Sequence, residues 1–252
     1  MRAPAYFLRT LVALCALWSC VATAAPDYAR EKRWADEITP TLVVGDAVYL
    51  AQPSGHKFLG LYTEAKKARA AVIVVHGLGI HPDWALIGTL RSELPDHGYT
   101  TLSIQMPVLA ADAKGEDYPA LFGDAAERLA AAVAWLKTKG YTKIALASHS
   151  MGARMSNHFL AANPASGIAA WIAVGISSGE FADAGTFRFP VLDIYGERDF
   201  PQVLQKADAR AAVLAKNKGS AQIEVQGADH YFGGRETELA TRMRQFLDQK
   251  FK

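Results

Sequence analysis

At 252 residues, half of them hydrophobic, the chain is long enough to bury one sizeable core and short for two. Its 27 Lys and Arg against 25 Asp and Glu give a formal net charge of +2, with no basic cluster interleaved with aromatics, which excludes nucleic acid as an expected partner. Both cysteines, Cys15 and Cys20, fall in the first 24 residues, so the remainder has neither disulfides nor thiol chemistry.

Those first residues read as a secretory signal. Arg2 and Arg9 make a positive start, residues 10–21 are apolar, and Ala22-Thr23-Ala24 is a small-x-small cleavage pattern, cut near Ala24 or Ala25. An uncleaved anchor is the competing reading, but the apolar run is short for a spanning helix. Lipidation at Cys20 is disfavoured by bulky Trp18. Cleavage removes Arg2 and Arg9, leaving 25 basic residues against 25 acidic ones. A periplasmic or secreted protein is expected, meeting a membrane only through its transient signal.

Residues 26–40 form a polar, partly helical lead-in without diagnostic content. Residues 41–50 and 57–63 alternate well enough for two strands of an antiparallel hairpin, with Pro53-Ser54-Gly55 as the turn. Residues 70–75 are a continuous apolar run, as in a strand covered on both faces, and end in His76-Gly77-Leu78-Gly79. Helical spacing follows over 83–96, with Asp83 as N-cap and His97-Gly98 as the stop.

Residues 99–106 read as a strand, 107–118 as a polar loop, and 119–139 as a long alanine-rich helix closed by Gly140. A strand over 143–147 then runs into Ser148-His149-Ser150-Met151-Gly152 and a helix to Ala162. Strands at 167–174, 190–195 and 221–226 alternate with a loop at 175–189, a helix at 201–216, a loop at 227–234 and a final amphipathic helix at 235–251. Two early strands followed by strand–helix alternation predict a mostly parallel eight-stranded sheet with helices on both faces. The 175–189 loop is too short for a large cap domain, which predicts an open site. Residues 25–252 read as one domain.

In such a sheet the functional groups gather at the carboxyl ends of the strands. Ser150 stands on an abrupt strand-to-helix turn between small residues, the arrangement of a nucleophile elbow. Gly152 supplies the small neighbour on one side, whereas Ser148 stands where glycine is usual. A hydroxyl nucleophile needs a base, and the base an orienting acid. Asp199 follows the strand at 190–195 and His230 the strand at 221–226, in the chain order Ser, acid, His. The competing reading of Ser150 is an inert serine on a turn. Glu197 rivals Asp199 as the acid, Asp193 reads as a buried structural carboxylate, and Asp229 as a loop hydrogen bonder.

Nearly all of residues 40–252 resembles an alpha/beta hydrolase core, on the His76-Gly77 start, the Ser150 elbow, the Gly196-x-x-Asp199 turn and the late His230. The stretch from His81-Pro82-Asp83-Trp84 through Leu94-Pro95-Asp96-His97-Gly98 to Pro107 further resembles an uncharacterised exported bacterial subfamily of that superfamily. The resemblance implies Ser150 as nucleophile, His230 as proton carrier and Asp199 as the group holding the imidazolium. It implies an oxyanion hole from the backbone N–H of Met151 and one after Val75, at Leu78.

The other histidines have blander readings. His76 fixes the loop it starts, His149 packs under the elbow, His81 borders the pocket, and His56, His97 and His158 are surface or satisfied residues. Trp84, Phe200, Tyr231 and Phe232 line an acyl pocket or belong to the core. No metal-ligand spacing or phosphate-binding glycine loop is present, so no cofactor and no metal are expected. The expected function is an exported serine hydrolase acting on a small carboxylic ester. The alternatives are a serine peptidase and a catalytically silent hydrolase-like binding module of the envelope.

Overall fold

The apolar runs that read as buried strands stack at the centre of one eight-stranded sheet. The computed structural model describes residues 25–177, 180–181 and 187–252; the expected signal at 1–24 and part of the 175–189 loop lie outside them. In chain order the elements are α1 (Tyr28–Ile38), β1 (Asp46–Ala51), β2 (Lys57–Thr63), β3 (Ala70–Val75), α2 (Ala85–Glu93), β4 (Tyr99–Ile104), α3 (Phe122–Thr138), β5 (Ile144–His149), α4 (Met151–Ala162), β6 (Ile168–Val174), β7 (Val191–Arg198), α5 (Pro201–Gln205), α6 (Ala207–Leu214), β8 (Ala221–Asp229) and α7 (Glu236–Lys250).

The sheet order is β1-β2-β4-β3-β5-β6-β7-β8. The pairings of β1 with β2 and β2 with β4 are antiparallel; from β4 onward every pair is parallel. The period-two geometry of a strand sorts its side chains between two cores. Ala71, Ile73 and Val75 of β3, with Ile144 and Leu146 of β5, join the core that holds Leu129, Val133 and Phe159 of α3 and α4. Ala70, Val72 and Val74, with Ala145 and Ala147, join the opposite core with Leu86, Leu90, Leu239 and Met243 of α2 and α7. Each fully buried Ile, Leu or Val there contributes about 1.5–3 kcal/mol.

The chain leaves β3 outward to β4 and returns to β5 on the other side of β3. The loops after β3 and β5 therefore diverge and open a crevice at their carboxyl ends. That crevice places the His76 loop and Ser150 side by side.

Local departures from the sequence reading have identifiable causes. The first strand begins at Asp46 rather than residue 41: residues 39–41 form a short 3-10 turn, and Val43 is exposed. Gly45, at φ +80°, reverses the chain so closely against Thr63 and Tyr62 that a Cβ would lie 2.4 Å from Thr63 Oγ1. Asp83 does not cap α2; Trp84 occupies that place, and Asp83 accepts from Arg91 Nε at 2.6 Å. The expected helix at 201–216 breaks at Lys206, because buried Arg210 donates from Nη1 to the Val203 carbonyl (2.8 Å) that a continuous helix would use.

The lead-in helix α1 is part of the fold. Buried Arg128 on α3 forks onto both Glu31 carboxylate oxygens at 2.9 and 3.1 Å, and its Nε donates to Gln52 Oε1 at 3.1 Å. One guanidinium thus ties α1 and the β1–β2 hairpin to the sheet's flank.

Candidate active site

Ser150 has φ 56° and ψ −117°, a conformation that L-residues rarely adopt and that costs about 1–3 kcal/mol. It persists because both sides of the turn are fixed. Its N–H donates to the Val174 carbonyl at 2.9 Å, and its carbonyl accepts from the Arg154 N–H at 3.3 Å. A Cβ on Gly152 would stand 2.2 Å from the His76 carbonyl oxygen, so only glycine lets α4 start this close to the β3 loop. Ser148 lies in β5, and its Oγ accepts from the Trp171 indole N–H at 2.8 Å.

The strands β7 and β8 each run three residues past their expected ends. Their register carries Arg198 opposite Asp229, so the residues that follow, Asp199 and His230, emerge side by side. His230 Nε2 is 2.8 Å from Ser150 Oγ and its Nδ1 is 2.5 Å from Asp199 Oδ1. Asp199 also accepts from the Phe200 N–H at 2.7 Å and the Gly196 N–H at 3.3 Å, which support a carboxylate. Phe200 stacks on the imidazole at 3.8 Å. Gly175 completes the packing: a Cβ there would sit 3.0 Å from Asp199 Oδ2 and 3.2 Å from His230 Nδ1.

The rival acids go elsewhere. Glu197 accepts from the Gly227 N–H at 2.7 Å on the surface. Asp193 is fully buried and accepts from Arg210 Nε and Gln222 Nε2, each at 2.8 Å. Asp229 Oδ1 accepts from the Tyr231 and Gly233 N–H groups, holding the loop that carries His230.

Two further histidines brace the frame as neutral rings. His76 Nε2 accepts from the Met106 N–H at 2.9 Å, so its proton is on Nδ1, which donates to the Gly77 carbonyl at 2.8 Å. His149 donates from Nε2 to the His230 carbonyl at 2.8 Å. Burial lowers the pKa of His76 to about 3 and that of His149 to about 4, the latter helped by the neighbouring His230.

The loop after β3 passes over the elbow, close enough that a Cβ on Gly77 would be 3.2 Å from Ser150 Cβ. Leu78 follows on this loop, and Met151 opens α4, where its N–H is one of the amides a helix leaves without an internal partner. The loop has an anchor that the lead-in residues gave no sign of. Arg30 of α1 donates from Nη2 to the Gly79 carbonyl and from Nη1 to the Leu109 carbonyl, both at 2.9 Å. One arginine among the several charged residues of a polar helix carries no sequence signal for such a reach.

Over Ser150 opens a cavity of about 700 Å³, walled by Leu78, Ile80, Trp84, Met151, Phe200 and Tyr231. Phe232, by contrast, is wholly buried in the α2/α7 core. His81 lies outside the wall, against Trp34. A buried acceptor–imidazole–hydroxyl chain facing such a cavity has the parts for nucleophilic acyl transfer.

A family model described as "Protein of unknown function (DUF3530)" matches residues 21–122 and 111–249. No curated protein matches the chain in sequence. Among solved structures, a dienelactone hydrolase from Anabaena variabilis is similar at TM-score 0.66 and 20% identity, over 82% of this chain and 97% of that one. Est1E from Butyrivibrio proteoclasticus is similar at 0.64 and 17%, over 81% and 98%. An alpha/beta serine hydrolase without lid from Xanthomonas campestris is similar at 0.63 and 18%, over 82% and 95%. At these identities the likeness establishes the alpha/beta hydrolase fold.

Proposed function

The chain belongs to the family described as "Protein of unknown function (DUF3530)", and for it we propose an exported serine hydrolase, a carboxylic ester hydrolase working through an acyl-enzyme. The observation that carries this reading is the continuous relay from Asp199 through His230 to Ser150, at 2.5 and 2.8 Å. His230 takes the hydroxyl proton as Ser150 Oγ attacks the carbonyl carbon, and Asp199 steadies the imidazolium. The N–H groups of Leu78 and Met151 receive the oxyanion. The proton passes to the departing alcohol, and a water activated by the same imidazole releases the acid.

The Ser148 replacement does not speak for a silent module, since its hydroxyl has a structural task at Trp171. The hydrolases among the similar structures agree with the reading. Labelling with a serine-directed fluorophosphonate tests it: the expected result is modification that disappears in Ser150→Ala and falls sharply in His230→Ala. A folded wild type that takes no label overturns it. Sequencing the N-terminus of the protein recovered from the periplasm tests export, with a start at residue 25 or 26 expected.

A further inference from the structure

Among the described residues, the cavity over Ser150 has a largely apolar wall and one permanent charge. That charge is Arg154, four residues beyond Ser150 on α4; neither Asp nor Glu of the described residues lines the cavity. Ser150 precedes the first turn of α4 and Arg154 stands within that turn; both line the same cavity, so a group bound at the serine shares it with the guanidinium. Gln202 also lines the cavity and adds hydrogen-bonding capacity.

Each buried arginine in the described residues has a carboxylate, and half-buried Arg30 has the Gly79 and Leu109 carbonyls. Arg91 has Asp83 at 2.6 Å, Arg128 has Glu31 at 2.9 Å, and Arg210 has Asp193 at 2.8 Å. Arg154 is half-buried and forms no ion pair among the described residues; its guanidinium stands over the Phe122 ring, 5.7 Å away at the edge of cation–π range. Desolvation alone pulls its pKa down, with no acid opposing it. A partly desolvated cation without an internal counter-charge is a standing cost unless a ligand supplies the anion.

We propose that Arg154 binds an anionic group of the substrate, so that the preferred ester carries a carboxylate a few bonds from the scissile carbonyl, as in the half-ester of a short dicarboxylic acid. The inference rests on the hydrolase reading for the ester, but not for the anion. A planar guanidinium matches a carboxylate bidentately, which fixes the acyl chain's direction as well as adding attraction.

The test compares the p-nitrophenyl half-ester of glutaric acid with its neutral counterpart, p-nitrophenyl pentanoate, after subtracting spontaneous hydrolysis. The wild type is expected to favour the charged ester in kcat/KM. Arg154→Gln and Arg154→Glu are expected to lower the charged-to-neutral ratio by roughly tenfold or more, and Arg154→Lys to retain part of it. A ratio that none of these substitutions moves overturns the proposal. Binding of glutarate itself to Ser150→Ala, followed by calorimetry, separates the two readings. Glutarate binding lost on adding Arg154→Gln, in a protein whose wild type neither labels nor hydrolyses, sinks the hydrolase and keeps the anion site. Absence of glutarate binding removes the anion site even where ester hydrolysis is found.

Discussion

The Trp171 indole N–H ends on Ser148 Oγ at 2.8 Å, two residues before the strained serine of the elbow. Both partners are buried, Trp171 completely. The residue that departs from the usual glycine is therefore the acceptor for the largest side chain under the sheet's centre.

Restoring the glycine should accordingly hurt. Ser148→Gly leaves the indole N–H without its partner and loosens β5, and is expected to cost about 1–3 kcal/mol in urea unfolding. Fluorophosphonate labelling of the folded fraction should stay near the wild-type rate. A variant as stable as wild type would contradict the role given to this bond.

The lead-in helix should matter for rate. Arg30→Met removes the two bonds that hold the Gly79 and Leu109 carbonyls, letting the Leu78 amide drift. Ester turnover is expected to fall roughly tenfold to a hundredfold, mainly in kcat, because a donor misplaced by about 1 Å loses much of its effect on the transition state. Lys32→Met, which breaks only the exposed pair with Asp36, serves as the control and should leave kcat unchanged.

Acid should unfold the protein through its buried imidazoles. His76 and His149 have pKa values lowered from 6.5 to about 3 and about 4. Below the unfolded value the denatured chain binds protons that the native state refuses, so their contribution is complete above about pH 6.5 and is lost as pH falls through 6.5 toward 4 and 3. Each is expected to lower stability by about 1.4 kcal/mol per pH unit in that window. Denaturant midpoints at pH 7, 6 and 5 measure the slope, and His149→Gln, which keeps a donor for the His230 carbonyl, should flatten it. An unchanged slope in that variant would remove His149 from the account.

Breaking the Glu31–Arg128 fork should be costly out of proportion to its distance from Ser150. Glu31→Gln strands a guanidinium that has no access to water, for an expected loss of about 3–5 kcal/mol in thermal or urea unfolding. A loss under about 1 kcal/mol would mean that α1 is only loosely held.

Much of this molecule was legible from residue patterns. Continuous apolar runs such as residues 70–75 announce strands covered on both faces, because only a sheet between two helical layers hides both sides of a strand. The order of Ser150, Asp199 and His230 at strand ends could be read for the same reason. What the patterns misplaced were element ends governed by distant contacts: the start of β1, set by Gly45 against Thr63, and the break at Lys206, set by Arg210.

Local periodicity and turn chemistry thus determined the sheet, its helices and the three residues at its carboxyl edge, because those depend on neighbours a few positions away. Only the tertiary structure decided that Asp199 rather than Glu197 reaches His230, that Ser148 serves Trp171, and that Arg30 and Arg154 bear on the site at all. Those outcomes depend on β7 and β8 sharing a register and on α1 folding back across the loop after β3. The contacts of Asp199, Ser148 and Arg30 join residues tens of positions apart, and no spacing along the chain records them.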